Sequence, residues 1–282
     1  MERTSGRSEI VIGLIDGPVI LDHADLSMKN IRALPGREDA GCTRADSLAC
    51  QHGTFIAGVL AARRGSVAPA ICPDCTLLVR PLFAESSAEG ARMPVATPEE
   101  LADALRECID AGARVLNLSV GLARISSQGE QALDEALDLA ARRQVLIVVA
   151  AGNQSAVGGS VLTRHRWVIP VAACDHQGMP TPESNLGSSI GRRGLCAPGA
   201  AVTSLGSTGQ AVTTGGTSVA VPFVTGTIAL LWSEFPNASA VDLKLAVTRT
   251  GATRRTSVVP PLLDAEIAYE TLRRSRATSL RN

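Results

Sequence analysis

Aromatic side chains are scarce: four Phe, two Trp and one Tyr make up 2% of the 282 residues. A nucleic-acid surface built from stacked rings is therefore not expected. Net charge is missing too, with 27 Lys and Arg against 27 Asp and Glu. No overall field draws the chain to DNA, RNA or an anionic membrane, so neither is expected as a partner. The apolar run at 10–15 is interrupted by Gly13 and closed by Asp16. It is too short for a signal-peptide core or a membrane span. The cysteines number seven, an odd count, and about half lie in apolar runs, which excludes a small disulfide scaffold. What is present is 45% hydrophobic and 19% charged residues, enough for a sizeable core and against disorder. The expectation is a cytoplasmic protein with mostly reduced thiols that acts through a local site.

Short β-branched runs alternate with longer amphipathic ones. Strands are expected at 10–15, 76–82, 114–120, 145–150, 168–173 and 201–205. Thr97-Pro98-Glu99-Glu100 reads as a helix start, with Thr97 as N-cap, Pro98 in the first turn and Glu100 completing a capping box. Leu101, Leu105 and Ile109 then share one face, and Gly112 ends the helix. Leu133, Ala136, Leu137 and Ala140 mark a second helix over about 129–143. A third, from Ser218 to about Glu234, is apolar nearly all round and should be buried. Leu243 with Val247, and the stretch from Ile267 to Leu272, suggest two more. Alternating strands and helices imply an α/β fold with a mostly parallel sheet and helices on both faces. No linker or repeat divides the chain. One domain over 9–274 is expected, with 1–8 and 275–282 as flexible termini.

Three segments place a chemistry-bearing residue at an element boundary. Asp16 closes the first strand, and ligand crevices in open α/β sheets lie at carboxyl ends of strands. His52 opens an apolar helix in which Gly53, Ala57 and Gly58 allow close packing. Only four His occur, and His23, His165 and His176 sit in polar loops, so few rivals exist for a base. Gly215 and Gly216 lead to Ser218 at the start of the buried helix, where unpaired N–H groups and the dipole favour negative charge. Pro222 falls at or just past the first turn, where its missing N–H is expected to cost little. Taken singly, each has an ordinary structural explanation: a turn Asp, a structural His, an N-cap Ser.

The order Asp16, His52, Ser218 resembles that of the subtilisin-like serine proteases. Ile12-Gly13-Leu14-Ile15-Asp16, Gln51-His52-Gly53-Thr54 and Gly216-Thr217-Ser218-Val219-Ala220-Val221-Pro222 are similar to that family's Asp, His and Ser segments. Leu116-Asn117-Leu118-Ser119-Val120-Gly121 looks like its substrate strand, and Ala150-Ala151-Gly152-Asn153 like its oxyanion segment. Ser184-Asn185-Leu186-Gly187 and Ala197-Pro198-Gly199 follow in family order. The resemblance implies a subtilisin-like three-layer sandwich and a serine endopeptidase. Ser218 would be the nucleophile, His52 the base and Asp16 its orienting acid. Asn153 would donate to the oxyanion, although an Asn in such a turn also serves as a plain left-handed turn residue. Ser119, Val120, Gly121, Ala151 and Gly152 would bind an extended peptide or protein substrate. The specificity pocket would lie between 119–122 and 150–160, with Leu122 narrowing it. Activity would decline below about pH 6.5 as His52 takes up a proton.

The Asp-Gly-Pro-Val opening and Ala70-Ile71-Cys72-Pro73-Asp74-Cys75 look like the protease domains of cyanobactin-type peptide-maturation enzymes. That likeness implies precursor or leader-peptide processing. Asp16 and His52 are 36 residues apart, too few for added capping helices, so hydrolysis is favoured over macrocyclisation. A transpeptidase and a peptide-binding pseudoprotease are the alternatives. No inhibitory prodomain is expected ahead of the core, so restraint would come from a regulatory or substrate-delivering partner. Cys72 and Cys75 are read as a reduced turn before a local disulfide, or a zinc site with Cys42 and Cys50. Cys50, two residues before His52, would let thiol reagents inhibit by bulk. No cofactor or metal is expected. Calcium is left as a weak alternative, because Asp22, Asp25, Asp39 and Asp46 show no ligand spacing.

Overall fold

The computed structural model describes residues 3–34, 40–85, 96–119, 127–249 and 255–279. Its centre is a sheet of seven strands, all paired in parallel: β1 (Val11–Asp16), β2 (Ile31–Ala33), β3 (Thr76–Pro81), β4 (Val115–Leu118), β5 (Leu146–Ala150), β6 (Val168–Cys174) and β7 (Leu195–Pro198). They lie in the order β2-β3-β1-β4-β5-β6-β7. Side chains alternate along each strand, so a sheet covered on both faces needs apolar residues at successive positions. In β1, Ile12 and Leu14 join one core and Ile15 the other.

Helices α2 (Pro98–Asp110) and α3 (Ser127–Arg142) cover one face, with Leu101, Leu105, Leu133 and Leu137 fully buried. The other face carries α1 (Leu48–Ala61), α6 (Thr217–Glu234), α7 (Ala240–Thr248) and α8 (Ala265–Ser279). Helices α4 (Val161–Arg164) and α5 (Ser188–Arg193) are single short turns. The result is the three-layer α/β sandwich that the sequence pattern implies. Helix α2 starts as expected: Glu100 N–H donates to Thr97 Oγ1 at 3.2 Å, and Thr97 N–H to Glu100 Oε2 at 3.0 Å. Helix α6 is buried on nearly every side. Among the described residues, no helix is long and apolar enough to cross a membrane.

Some elements differ from expectation. Strand 201–205 is not in the main sheet: β8 (Val202–Leu205) forms an antiparallel hairpin with β9 (Ala211–Thr214). The strand expected at 114–120 ends at Leu118, and Val120 lies outside the described residues. The ends read as flexible are built further out. Arg64 donates to Thr4 O, Asp74 N–H to Ser5 O and Thr76 Oγ1 to Ser8 O, and α8 continues to Ser279.

One contact fixes the spacing that matters for the site. A Cβ on Gly53 would stand 2.4 Å from both Gly17 O and Pro18 O, and one on Gly17 would stand 2.0 Å from Ala49 O. Helix α1 therefore lies directly on the backbone that follows β1. We expect Gly53→Ala to destabilise the fold by about 1–3 kcal/mol. Gly158→Ala, with open space around its Cβ, should stay within about 0.5 kcal/mol. Denaturant unfolding of both variants checks this.

Candidate active site

Strand β3 lies on one side of β1 and β4 on the other. The chain thus switches direction across the sheet at β1, and in open α/β sheets such a switch point is where a ligand crevice forms beyond the carboxyl ends of the strands. Asp16 is the last residue of β1 and Ser119 the first after β4. Both sequence-predicted residues therefore stand at the same rim.

His52 enters from α1. Ser47 caps that helix by accepting from Cys50 N–H at 3.1 Å, which sets His52 in its second turn. His52 Nδ1 lies 2.7 Å from Asp16 Oδ1, and the Asp16 side chain is fully buried. Gly17 N–H also donates to Asp16 Oδ1, at 2.7 Å. Asp16 Oδ2 is buried with no hydrogen-bond partner among the described residues, so the carboxylate acts through Oδ1. With Nδ1–H held by a carboxylate, the neutral ring presents Nε2 as an acceptor. Burial pulls the His52 pKa down, but the charge of Asp16 and its hydrogen bond outweigh this. The net movement is upward from the ordinary value of 6.5.

Ser218 lies in the first turn of α6, after the N-cap Gly216. Gly216 has φ +128°, a left-handed conformation open to glycine, and its N–H donates to Gly199 O at 2.8 Å. Thr217 reaches back to Asn153. Its N–H and its Oγ1 both donate to Asn153 Oδ1 at 2.9 Å. That fixes which end of the amide is oxygen and turns the exposed Nδ2 donor the other way. Thr217 Oγ1 in turn accepts from Gly152 N–H at 3.1 Å. Asn153 is thus held against the start of α6.

The remaining candidates fare differently. Ser119 is buried and donates through Oγ to Ser218 O at 2.9 Å. Val120, Gly121 and Leu122 lie outside the described residues. Ala151 and Gly152 line the same loop, but Ala151 N–H donates to Val171 O and Gly152 N–H to Thr217 Oγ1. Their N–H groups are therefore occupied within the protein. Two residues without an assigned role from sequence hold this loop and the Asn153 amide. One is Thr217. The other is Asn185, whose Oδ1 accepts from the N–H groups of Gln154 at 3.0 Å and Ala156 at 2.9 Å. Both stand inside the quoted motifs, which was the available signal.

Cysteine chemistry departs from the sequence reading at one pair. Cys42 and Cys50 form a disulfide. Cys50 is therefore not a thiol beside His52, and the pair is not half of a zinc site with Cys72 and Cys75. The latter two are free and buried, as the reduced-turn reading has it. Glu85 approaches the disulfide, but these two sulfurs are bonded to each other. Among the described residues, Asp22, Asp25 and Asp46 form no cluster of three ligands. Asp39 lies outside them.

A half-buried imidazole paired with a fully buried carboxylate stands at the sheet's switch point, and Ser218 stands in the first turn of the buried helix α6; these are the residue types of an acid–base–nucleophile site. Residues 7–268 match the subtilase family, and the chain belongs to it. Its curated relatives include proteins named as proteases and subtilisins. The thermostable alkaline protease of Halalkalibacterium halodurans is 30% identical over 71% of this chain, which spans about half (52%) of that relative's length. Among solved structures, a mutant of the protease domain of PatA is 27% identical, with a TM-score of 0.86, covering 98% of this chain and 99% of that one. The prenylagaramide maturation protease PagA is 25% identical with a TM-score of 0.80, covering 96% of both chains.

The His52 result has a direct check. NMR titration of its ring should give a midpoint above 6.5 in the parent chain. In Asp16→Asn, where burial acts without the opposing charge, the midpoint should fall below 6.5.

Proposed function

We propose that Asp16, His52 and Ser218 form a catalytic triad and that the chain processes a precursor or leader peptide. The reading rests on the Asp16–His52 hydrogen bond at 2.7 Å, with Asn153 held beside the helix that carries Ser218. Ser218 Oγ attacks the scissile carbonyl while His52 Nε2 takes its proton. Asp16 stabilises the imidazolium, which then protonates the leaving amine. Asn153 Nδ2 donates to the oxyanion as charge develops. Water resolves the acyl-enzyme by the same route in reverse. Ser119, the first residue after β4, opens the segment against which the peptide would lie extended.

Precursor processing draws support from likeness to PagA, which is a maturation protease, and to the protease domain of PatA. A partner that delivers substrate or restrains the enzyme belongs to this reading. A cytoplasmic setting also belongs to this reading; the five free buried cysteines suit it and the Cys42–Cys50 disulfide counts against it.

The test is a peptide library with mass readout. Hydrolysis adds one water to the summed fragment masses, whereas cyclisation releases a product without it. Ser218→Ala should lose both cleavage and fluorophosphonate labelling; full labelling of that variant would overturn the triad. The acid limb of kcat/KM should centre above pH 6.5, because the base must be neutral and its pKa is raised. A flat profile from pH 5 to 8 would remove His52 as base.

A further inference from the structure

Proline at position 222 lies inside α6. An α-helical carbonyl normally receives the N–H of the residue four positions later. For Ser218 that residue is Pro222, which has no N–H. The carbonyl of the candidate nucleophile therefore lacks its helical donor. Ser119 Oγ supplies one, at 2.9 Å.

Ser119 does not stand alone. Asn117 Nδ2 donates to Ser119 Oγ at 3.0 Å, and Thr225 Oγ1 donates to Asn117 Oδ1 at 3.0 Å. Asn117 and Thr225 are fully buried and Ser119 nearly so. The direction of the chain is forced. Ser218 O can only accept, so Ser119 must give its proton there and accept from the Asn117 amide N–H. That turns Asn117 Oδ1 toward Thr225, whose hydroxyl must donate. A Thr in a helix ordinarily bonds a carbonyl of its own preceding turn; this one crosses to β4.

We propose that Thr225 is a positioning residue for the Ser218 nucleophile, acting through Asn117 and Ser119. The relay starts on α6, crosses the buried end of β4 and returns to the same helix at Ser218. It fixes the Ser218 peptide group against the strand that leads to the substrate segment. The inference rests on Ser218 being the nucleophile.

The experiment compares Thr225→Val, Thr225→Ser, Ser119→Ala and the Thr225→Val/Ser119→Ala double variant with the parent chain. It measures the fluorophosphonate labelling rate per labelled site, kcat and KM on one cleaved peptide, and the melting temperature. Thr225→Val should label to the same end point about tenfold more slowly. Its kcat should fall in parallel and its KM should stay within about twofold. Thr225→Ser should restore the rate to within about threefold. Ser119→Ala should match Thr225→Val, and the double variant should be no slower than either single. A lower melting temperature with an unchanged labelling rate would make Thr225 merely structural and overturn the relay. Additive losses in the double variant would do the same. If Thr225→Val does not fold, Ser119→Ala carries the comparison, and an unchanged rate there overturns it. Absence of labelling in the parent chain is a different failure: it removes the nucleophile reading itself.

Discussion

The site depends first on a steric constraint, the backbone-to-backbone contact between the start of α1 and the turn after β1. At Gly17 and Gly53 no side chain separates the two segments. The helix can therefore present His52 to a carboxylate that never leaves the sheet core. Asp16 would be costly there as an unpaired ion. His52 Nδ1 and Gly17 N–H compensate by meeting the same oxygen. The packing and the electrostatics are one arrangement: relaxing the contact would lengthen the hydrogen bond and strand a buried charge.

The second half of the site is organised by α6. Its amino end collects groups from three directions. Asn153 arrives from the loop after β5, the Gly199 carbonyl from beyond β7, and Ser119 from the end of β4. Each uses a backbone group that the first turn of a helix leaves open or, at Ser218 O, one that Pro222 leaves open. Small residues make room and short polar side chains fill the remaining valences. This explains how a protein so poor in aromatics can hold a defined site: its precision comes from short polar side chains and their hydrogen bonds, not from large rings.

The long, periodic elements were legible in the sequence. The capped helix after Thr97, the buried helix after Ser218 and five of the main-sheet strands stand near their expected places. What escaped was short or partner-dependent. β2 has three residues, β7 includes Pro198, and the four residues of β9 are all exposed. None carries a period of its own long enough to read. The candidate site was legible as residue types because Asp16, His52, Asn153 and Ser218 sit at element ends within motifs. The Cys42–Cys50 pairing was not, since seven cysteines allow many partners and only the folded chain chooses. Nor was the sign of the His52 shift, which is the difference between burial and a neighbouring charge.

The segment leading into α1 is fastened twice. The disulfide joins two cysteines eight positions apart. Independently, the Glu85 carboxylate gathers the N–H groups of Thr43 and Arg44, the Thr43 hydroxyl and the Ser47 hydroxyl. Burial alone would raise the Glu85 pKa, but these hydrogen bonds lower it overall. One fastener yields to a reductant and the other to protons. Loss of either leaves the approach to His52 tethered by the other, so the loop has redundancy across two unrelated environmental stresses.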